Sequence, residues 1–272
     1  MSEWKLGLIG CGNMGSALLA GVVKAGVVST DCVGLTDVDT ARASALAADL
    51  GAKQCVSNGE LLEFADVVIL AVKPQVMGDV LAELASSVRE KHLFISIAAG
   101  IPLSMIEGKL GGDVRAIRVM PNTPALLGCG ASGLAKGRLA TDADMQRAID
   151  IFQAVGVAVE VDEDQINAVT GLSGSGPAYV FRMAEVLVRA GEKAGLDAAA
   201  SLMLARQTIL GAARMMTETT DSPEELRRKV TSPGGTTEAG LKVMDEGGFA
   251  ELIEKVVIRA RDRGDELGKM LQ

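Results

Sequence analysis

A glycine string near the start of the chain constrains the fold more than any other stretch. The apolar run Trp4–Ile9 is followed by Gly10, Gly12 and Gly15, and then by a helical pattern. Between a strand and a helix, such a string permits a tight turn, a close backbone approach to a pyrophosphate and close helix packing. The helix start adds unpaired N–H groups that favour anions. The string therefore predicts a dinucleotide site, and the alternative is a tight turn that binds nothing.

Strand and helix patterns alternate through the first half of the chain. Several strands are continuous apolar runs, which are typical of a parallel sheet covered on both faces. The alternation predicts an α/β fold with a Rossmann-like, doubly wound, mainly parallel sheet. The predicted strands are Trp4–Ile9, Cys32–Asp37, Lys53–Val56, Asp66–Val72, Leu93–Ala99 and Val114–Met120.

The residues that follow these strands are unusually rich in Gly, Pro and Asn. Lys73 and Pro74 follow the fourth strand, Gly100 follows the fifth, and Pro121–Pro124 follow the sixth. Because the carboxyl ends of parallel strands share one edge, these segments are expected to line a ligand site there. Each of these segments alone could be an ordinary turn or loop.

The second predicted strand ends in Thr36 and Asp37. An acidic residue about 20 residues beyond the glycine string can bind the adenosine ribose of NAD and would repel a 2′-phosphate. Thr36 could serve a phosphate instead, with Arg42 turned toward it, and Asp37 could simply cap the next helix. The preference between NAD(H) and NADP(H) is therefore left open.

From Gln165 onward the periodicity is helical, which predicts a Rossmann domain over residues 1–162 and an all-helical domain over 163–272. Apolar residues make up 48% of the chain and aromatic residues only 3%. This excess favours a dimer with interlocked helices over a monomeric bundle. The predicted helices are Ala178–Ala194, one capped by Asp197, one that starts after Ser222, and a last one that carries Phe249, Leu252, Ile253, Val256 and Val257.

A second glycine-rich loop, Thr231–Thr237, reads TSPGGTT between two helices. Its paired glycines expose backbone N–H groups just before a helix start, which is the anion-binding arrangement of the first loop. A carboxylate is the expected guest. The alternative is an ordinary turn between helices.

Composition excludes several classes of protein. The net charge of −8, without a basic tract, argues against nucleic-acid binding. Four dispersed cysteines predict neither a disulfide framework nor a zinc site, and Cys11 is interpreted as a small filler rather than a reactive thiol. No apolar run long enough for a membrane span and no signal peptide are found, so a cytoplasmic protein is expected. The single histidine, His92, lies in a polar REKH turn and is expected on the surface.

Six strings occur in an order that resembles the Δ1-pyrroline-5-carboxylate reductase family over essentially the full length. They are GLIGCGNMG, AVKP, SIAAG, MPNTPA, TGLSGSGPAYVF and SPGGTT. The resemblance implies reduction of 1-pyrroline-5-carboxylate to L-proline by NAD(P)H, the last step of proline biosynthesis. It also implies a helical dimerisation domain, an active site completed by both subunits, and assemblies as large as decamers.

The same resemblance implies a set of site residues and no metal. Backbone amides of Ser232, Gly234, Gly235, Thr236 and Thr237 would hold the substrate carboxylate, and the Thr237 hydroxyl, the one catalytic candidate, would face the ring nitrogen. Asp37 departs from the serine or arginine of many relatives, which puts the usual NADPH preference in doubt. With Thr36 and Asp37, the cofactor candidates are Gly10, Cys11, Gly12, Asn13, Met14, Gly15, Asn58, Ala71, Val72, Lys73, Pro74, Ala98, Ala99, Gly100 and Glu163.

The chemistry of a cyclic imine fits this set. A protonated imine is already electrophilic and becomes a neutral amine when it accepts hydride, so positioning replaces a titrating general acid. Two alternatives stay open. One is a β-hydroxyacid dehydrogenase, for which Lys193 would be the nearest lysine, and the other is a non-catalytic NADP(H) sensor.

Overall fold

Eight strands form one mixed sheet within residues 4–270, the part of the chain that this computed structural model describes. Their order across the sheet is β3-β2-β1-β4-β5-β6-β7-β8, and every neighbouring pair is parallel except β6 with β7. The strands are β1 Leu6–Ile9, β2 Val33–Thr36, β3 Lys53–Gln54, β4 Val67–Leu70, β5 Leu93–Ser96, β6 Arg115–Met120, β7 Gly130–Lys136 and β8 Gly156–Glu160.

Helices connect the strands and form most of the described chain after β8. A π-helical segment, Thr170–Gly174, separates α7 from α8. The helices are α1 Asn13–Lys24, α2 Thr40–Leu50, α3 Asn58–Phe64, α4 Pro74–Leu84, α5 Leu103–Lys109, α6 Asp142–Gln153, α7 Ile166–Val169, α8 Gly176–Lys193, α9 Ala198–Glu218, α10 Pro223–Lys229, α11 Thr236–Glu246 and α12 Phe249–Met270.

Local signals in the sequence set the helix ends. The Asp39 side chain accepts a hydrogen bond from the Arg42 N–H at the start of α2, and Gly51 ends that helix in the left-handed conformation. Ser222 and Glu225 form a reciprocal capping box at the start of α10. The start of α10 agrees with the helix that the sequence predicts after Ser222.

The sheet is covered on both faces, which confirms the predicted Rossmann-like fold class. Leu8, Leu35 and Ile69 belong to one buried cluster, in which Phe152 of α6 also packs. Ile9 of β1 and Val68 of β4 belong to a second cluster, which includes Phe94. Sequence analysis did not identify β7 and β8, because the Gly- and Ala-rich stretch of β7 carries little β-propensity.

The chain divides into two compact units. The first contains the sheet, the residues up to Ser175 and those from Ile258 onward, and the second is Gly176–Val257. Residues of α7 belong to the first unit because they pack on the sheet: a Cβ on Gly133 of β7 would lie 2.7 Å from Val169. The predicted domain boundary after residue 162 precedes this division and stays a prediction.

The second unit, taken by itself, leaves many apolar side chains in contact with solvent. Helices α8 and α9 pack against each other, yet Phe181 is 63% exposed and Met203 is 71% exposed. Phe181, Val188 and Leu202 line an open groove along these two helices. A surface this apolar is characteristic of an interaction face.

Candidate functional site

The three glycines of the first loop each have a distinct geometry. Gly10 has φ +99°, and a Cβ there would lie 2.8 Å from the Ala71 carbonyl oxygen. A Cβ on Gly15 would lie 2.5 Å from the Gly10 carbonyl oxygen, whereas a Cβ on Gly12 would meet no atom within 4 Å. Gly10 and Gly15 therefore permit the turn and the helix packing, and the space above Gly12 is open.

That open space lies at the start of α1. Gly12 is the N-cap residue and has no side-chain acceptor for the N–H groups of the first turn, and that turn contains no acidic residue. Unsatisfied N–H groups and the helix dipole both favour a negative charge at this point. The loop thus fits the pyrophosphate of a nicotinamide dinucleotide, with Asn13 and Met14 in the first turn.

Asp37 joins the glycine loop to the end of β2. Its Oδ2 accepts a hydrogen bond from the Cys11 N–H at 2.6 Å, and its Oδ1 accepts one from the Asp39 N–H at 2.8 Å. The Arg42 guanidinium lies 3.9 Å from Asp37 Oδ2. The cap of α2 is Asp39, so the interpretation of Asp37 as that helix cap is wrong. Asp37 instead places a carboxylate beside the loop, where a ribose is expected, and the Thr36 side chain is buried.

Cys11 is a packing residue in this structure. Its side chain is 2% exposed and its Sγ lies 3.6 Å from the Thr36 carbonyl oxygen. Burial, and next the Asp37 charge, raise the pKa of the Cys11 thiol to about 12. A thiol with such a pKa is not nucleophilic near neutral pH, which supports the small-filler interpretation.

The segments after β4, β5 and β6 lie along the same edge of the sheet as the glycine loop, because β1, β4, β5 and β6 are parallel neighbours. The first segment is Ala71–Pro74, in which Lys73 is the N-cap of α4 and Pro74 its first residue. The second is Ala98–Gly100, where Gly100 has φ +75°. The third contains Asn122, whose side chain bonds Ala131 N–H and the Ser173 carbonyl.

The ends of β2 and β3 continue the same edge, where the adenosine of a dinucleotide is expected. Asn58 is the first residue of α3, and its side-chain amide donates to Glu83 at 2.8 Å. Val38 and Val56, which follow β2 and β3, are 103% and 86% exposed.

Glu163 is part of a polar chain of contacts that runs from the buried Arg118 to the surface. Its Oε1 accepts a hydrogen bond from the Leu103 N–H at 2.6 Å and lies 3.6 Å from the Arg118 guanidinium. The Arg118 side chain is only 7% exposed and also contacts the Asn167 side chain at 3.3 Å. Arg118 and Asn167 were not identified from the sequence, because the sequence does not show which side chain a charged residue inside an apolar strand will contact.

The second glycine-rich loop, in the second unit, is largely exposed. Gly235 is the N-cap of α11, which starts with Thr236 and Thr237, and Gly234 has φ +70°. The Gly234 N–H donates to the Glu238 carboxylate at 2.8 Å. An acid from the first turn of α11 thus occupies one of the amides that the resemblance assigns to the substrate.

His92 corrects an expectation. The predicted surface residue is 2% exposed, because the REKH turn folds its ring inward. The Arg89 N–H donates to Nδ1, and Nε2 bonds the Leu62 carbonyl oxygen, each at 2.9 Å. Burial lowers the pKa of His92. The ring lies just before β5, at the amino ends of the strands and away from the candidate site, so it is structural.

Between residues 4 and 270, no group of three or more His, Cys, Asp or Glu side chains is arranged to hold a metal ion. In the same range, none of the helices combines the length and the apolar character that a membrane crossing requires.

Two family profiles match the chain. One, described as pyrroline-5-carboxylate reductase dimerisation, matches residues 163–267, and the other, described as coenzyme F420-dependent NADP oxidoreductase, matches residues 5–100. The pyrroline-5-carboxylate reductase of Methanosarcina acetivorans is 45% identical over 269 residues, which cover 99% of this chain and 100% of the relative. That of Escherichia coli is 36% identical and covers 98% of this chain and 99% of the relative.

Solved structures agree. A pyrroline-5-carboxylate reductase from Coxiella burnetii superposes with a TM-score of 0.94 at 38% identity, covering 98% of this chain and 99% of that one. A pyrroline carboxylate reductase from Plasmodium falciparum with NADP bound gives 0.83 at 31% identity, with the same coverage. The chain therefore belongs to the pyrroline-5-carboxylate reductase family, which confirms the predicted oxidoreductase class and the reaction that the resemblance implied.

Proposed function

We propose that this chain reduces 1-pyrroline-5-carboxylate to L-proline in the last step of proline biosynthesis, with its own glycine loop holding a nicotinamide dinucleotide. The observation that carries the reaction is the full-length similarity to curated pyrroline-5-carboxylate reductases. The geometry supports the cofactor part of this proposal. The space beside Gly12 is open, and the helix start there has no side-chain cap. The β-hydroxyacid dehydrogenase alternative has no such support, since Lys193 is merely the last residue of α8.

The first unit supplies the cofactor residues in this proposal. Gly10–Gly15 bind the pyrophosphate, Thr36, Asp37 and Asn58 flank the adenosine, and Ala71–Pro74 with Ala98–Gly100 flank the nicotinamide. When bound, the cofactor supplies hydride from C4 of its ring. The chain contributes proximity and orientation, which can lower the barrier of a two-reactant step by several kcal/mol, on the order of 7–11 at most.

The second unit supplies the substrate residues. Amides of Ser232, Thr236 and Thr237 receive the carboxylate, and those of Gly234 and Gly235 join them once they leave the Glu238 carboxylate and the Ser232 carbonyl oxygen. The Thr237 hydroxyl holds the ring nitrogen, which arrives protonated and keeps its proton as the imine carbon accepts hydride. No proton has to be delivered by a side chain, because the charged imine becomes a neutral amine directly.

The preference between NADPH and NADH depends on Asp37 in this proposal. Its carboxylate lies beside the Cys11 amide and would repel a 2′-phosphate, whereas Arg42, 3.9 Å away, partly offsets that charge. The NADP-bound relative from Plasmodium falciparum shows that NADP is a ligand within the family. We propose that this chain accepts both cofactors and favours NADH.

We further propose a homodimer whose active site combines both copies, with larger assemblies up to a decamer built from it. The exposed apolar side chains of α8 and α9 support the dimer, because such a surface is costly in water. Four free thiols support a reducing, cytoplasmic location. We propose small-molecule chemistry alone, without nucleic acid or membrane, as the net charge of −8 favours.

The decisive assay follows absorbance at 340 nm with the purified protein, NADH or NADPH, and 1-pyrroline-5-carboxylate. Imine-dependent loss of absorbance is expected with at least one cofactor, and its absence with both would reject the proposed function. Thr237→Val, which removes the hydroxyl but keeps the shape, should lower kcat about a hundredfold. A non-catalytic sensor would bind NADP(H) and show no turnover even before substitution.

A complementation experiment tests the shared active site. Gly12→Ala impairs the cofactor loop and Thr237→Val impairs the substrate loop, so at limiting cofactor the two homodimers should keep about a tenth and about a hundredth of the activity. If each site combines loops from two copies, co-expressed mixed dimers contain one intact site and recover about a quarter of the activity. No recovery would show that both loops of one site come from the same chain.

A further inference from the structure

A buried arginine in the sheet begins a chain of contacts that has no role in the reaction proposed above. The Arg118 side chain of β6 is 7% exposed, and burial lowers the pKa of its guanidinium while Glu163 opposes that shift. A buried cation needs close partners because its desolvation is costly. Arg118 lies 3.6 Å from the Glu163 carboxylate and 3.3 Å from the Asn167 Oδ1.

The chain of contacts continues to the last helix. The Asn167 side-chain amide donates to the Asp265 carboxylate at 2.5 Å, across 98 residues of sequence. Gly264 makes the approach possible, since a Cβ there would lie 3.1 Å from Asn167 Oδ1. The Asp265 charge also acts on Arg118. Both residues that carry this link, Asn167 and Asp265, lie in the same unit as the sheet.

Both ends of this chain meet the segment that follows β5. At one end, Glu163 accepts the N–H of Leu103, the first residue of α5. At the other end, α12 passes so close that a Cβ on Gly268 would lie 3.4 Å from the Gly100 carbonyl oxygen. The segment 98–103 is therefore held from two sides.

A cavity of about 200 Å³ lies where these elements meet. Ala99 and Gly100 form one wall, Asn167 and Thr170 another, and Arg263 and Leu267 of α12 a third. The position of α12 thus sets the shape of the space beside Ala98–Gly100. Among the described residues of the first unit that follow Ser175, those that line the cavity all belong to α12.

We propose that Asn167 and Asp265 are positioning residues for hydride transfer: they hold the end of α12 against Ala98–Gly100 and so fix the wall that the nicotinamide ring packs on. The inference rests on the proposed function, which places the nicotinamide beside this segment. Its physical basis is that one buried cation couples the Glu163 contact with Leu103 to the Asn167 contact with α12. Loosening the α12 end then enlarges the space available to the ring.

The network lies far along the sheet from the adenosine end. β6 is separated from β2 by β1, β4 and β5, so the ends of β2 and β3 share no strand contact with it. A loosened wall should therefore weaken binding of the nicotinamide half and leave the adenosine half unchanged. A general loss of stability would weaken both halves alike.

The experiment compares Asp265→Ala and Asp265→Asn with a matched control on the same helix. The control is Asp262→Asn, because the described partner of Asp262 is its exposed neighbour Arg261. Dissociation constants for NADH, NADPH and ADP-ribose are measured by titration calorimetry, together with kcat, KM and the melting temperature. ADP-ribose has the adenosine and pyrophosphate but lacks the nicotinamide.

For Asp265→Ala we expect about tenfold weaker binding of the preferred reduced cofactor and an affinity for ADP-ribose unchanged within about twofold. Asp265→Asn keeps an oxygen for Asn167 and loses the charge near Arg118, so its effect should be intermediate. The control should match the unsubstituted protein. In both Asp265 variants kcat should fall as well, since a displaced ring is misaligned with the imine.

Equal weakening of NADH and ADP-ribose, or no change in either, would overturn the proposal. If Asp265→Ala fails to fold, Asp265→Asn decides the question by the same comparison. Failure of the proposed reaction itself would appear separately, as absence of imine-dependent turnover in the unsubstituted protein. The binding comparison does not depend on that turnover.

Discussion

The two glycine-rich loops of this chain share one backbone chemistry but have opposite surroundings. Gly10–Gly15 is enclosed: Cys11 is 2% exposed, and the Asp37 carboxylate holds its N–H at 2.6 Å. The loop Ser232–Thr237 is largely exposed, and its Gly234 N–H is taken by Glu238 of the same helix. Both precede the first turn of a helix.

The difference shows that a helix start with glycines is only part of a binding site. The first loop has its shape imposed by neighbouring backbone at Ala71 and by a buried carboxylate, so it is prepared for a ligand in advance. The second loop satisfies an amide internally and needs another surface to enclose its guest. This is the arrangement expected if the substrate half of the site is completed on assembly.

The largest effect is expected from Gly15→Ala in the enclosed loop. Its new Cβ would lie 2.5 Å from the Gly10 carbonyl oxygen, so the turn or α1 must move. Overpacking of this kind costs about 1–3 kcal/mol of the free energy of unfolding. Thermal melting should show the loss, and cofactor titration should show no binding at micromolar concentrations.

Gly12→Ala is the matched control for that substitution. A Cβ on Gly12 meets no atom within 4 Å, so the melting temperature should not change. Its methyl group projects where the pyrophosphate is expected, and we expect roughly tenfold weaker cofactor binding. Normal cofactor affinity in Gly12→Ala would show that the open space is not the pyrophosphate site.

The next largest effect is expected from Asp37→Ser. Loss of the carboxylate removes repulsion of a 2′-phosphate, and the ratio of kcat/KM for NADPH to that for NADH should rise roughly tenfold. Affinity for both cofactors should also fall, since the charged acceptor of the Cys11 amide is lost.

The control for Asp37→Ser is Asp39→Ser, which removes a nearby negative charge and leaves a residue able to cap α2. If both variants change the ratio of kcat/KM for NADPH to that for NADH equally, the effect comes from the total negative charge at this edge of the sheet and not from Asp37 itself. An unchanged ratio in Asp37→Ser would show that its carboxylate does not meet the ribose.

In the exposed loop, Glu238→Gln tests the internal contact with Gly234. Removing the charge should weaken the bond to the Gly234 amide and reduce repulsion of the substrate carboxylate, so KM for the imine should fall roughly two- to fivefold with kcat unchanged. Steady-state kinetics at low salt gives the clearest reading, because screening weakens such effects. A rise in KM would show that Glu238 supports the loop instead of competing with the substrate.

The smallest effect concerns the thiols. Cys11, with a pKa of about 12, should resist alkylation at neutral pH, whereas exposed Cys129 should react. Mass spectrometry after brief iodoacetamide treatment distinguishes the two peptides. The contrary result is rapid labelling of Cys11 without cofactor and its protection when cofactor is bound. That result would show that the first loop opens in solution and is less enclosed than this structure indicates.

Much of the fold and the cofactor site could be predicted because the signals are local. The glycine spacing, the apolar runs and the helix caps act within a few residues, so the positions of the first six strands and the start of α10 after Ser222 agree with the prediction. The site residues drawn from the resemblance stay predictions, since no bound molecule tests them. Asp37 is an intermediate case, because its place after β2 was predictable and its bond to Cys11 was not.

What the sequence by itself determined is the order of the first six strands, the helices of the second half of the chain, the glycine loop and the family. Only the tertiary structure decided that His92 is buried, that Gly234 pairs with Glu238, and that Asp265 joins Asn167 beside Arg118. The physical reason is the distance along the chain over which each interaction acts. Backbone conformation and capping are set by neighbours in the chain, whereas burial and side-chain pairing depend on which surfaces folding brings together across as many as 98 residues.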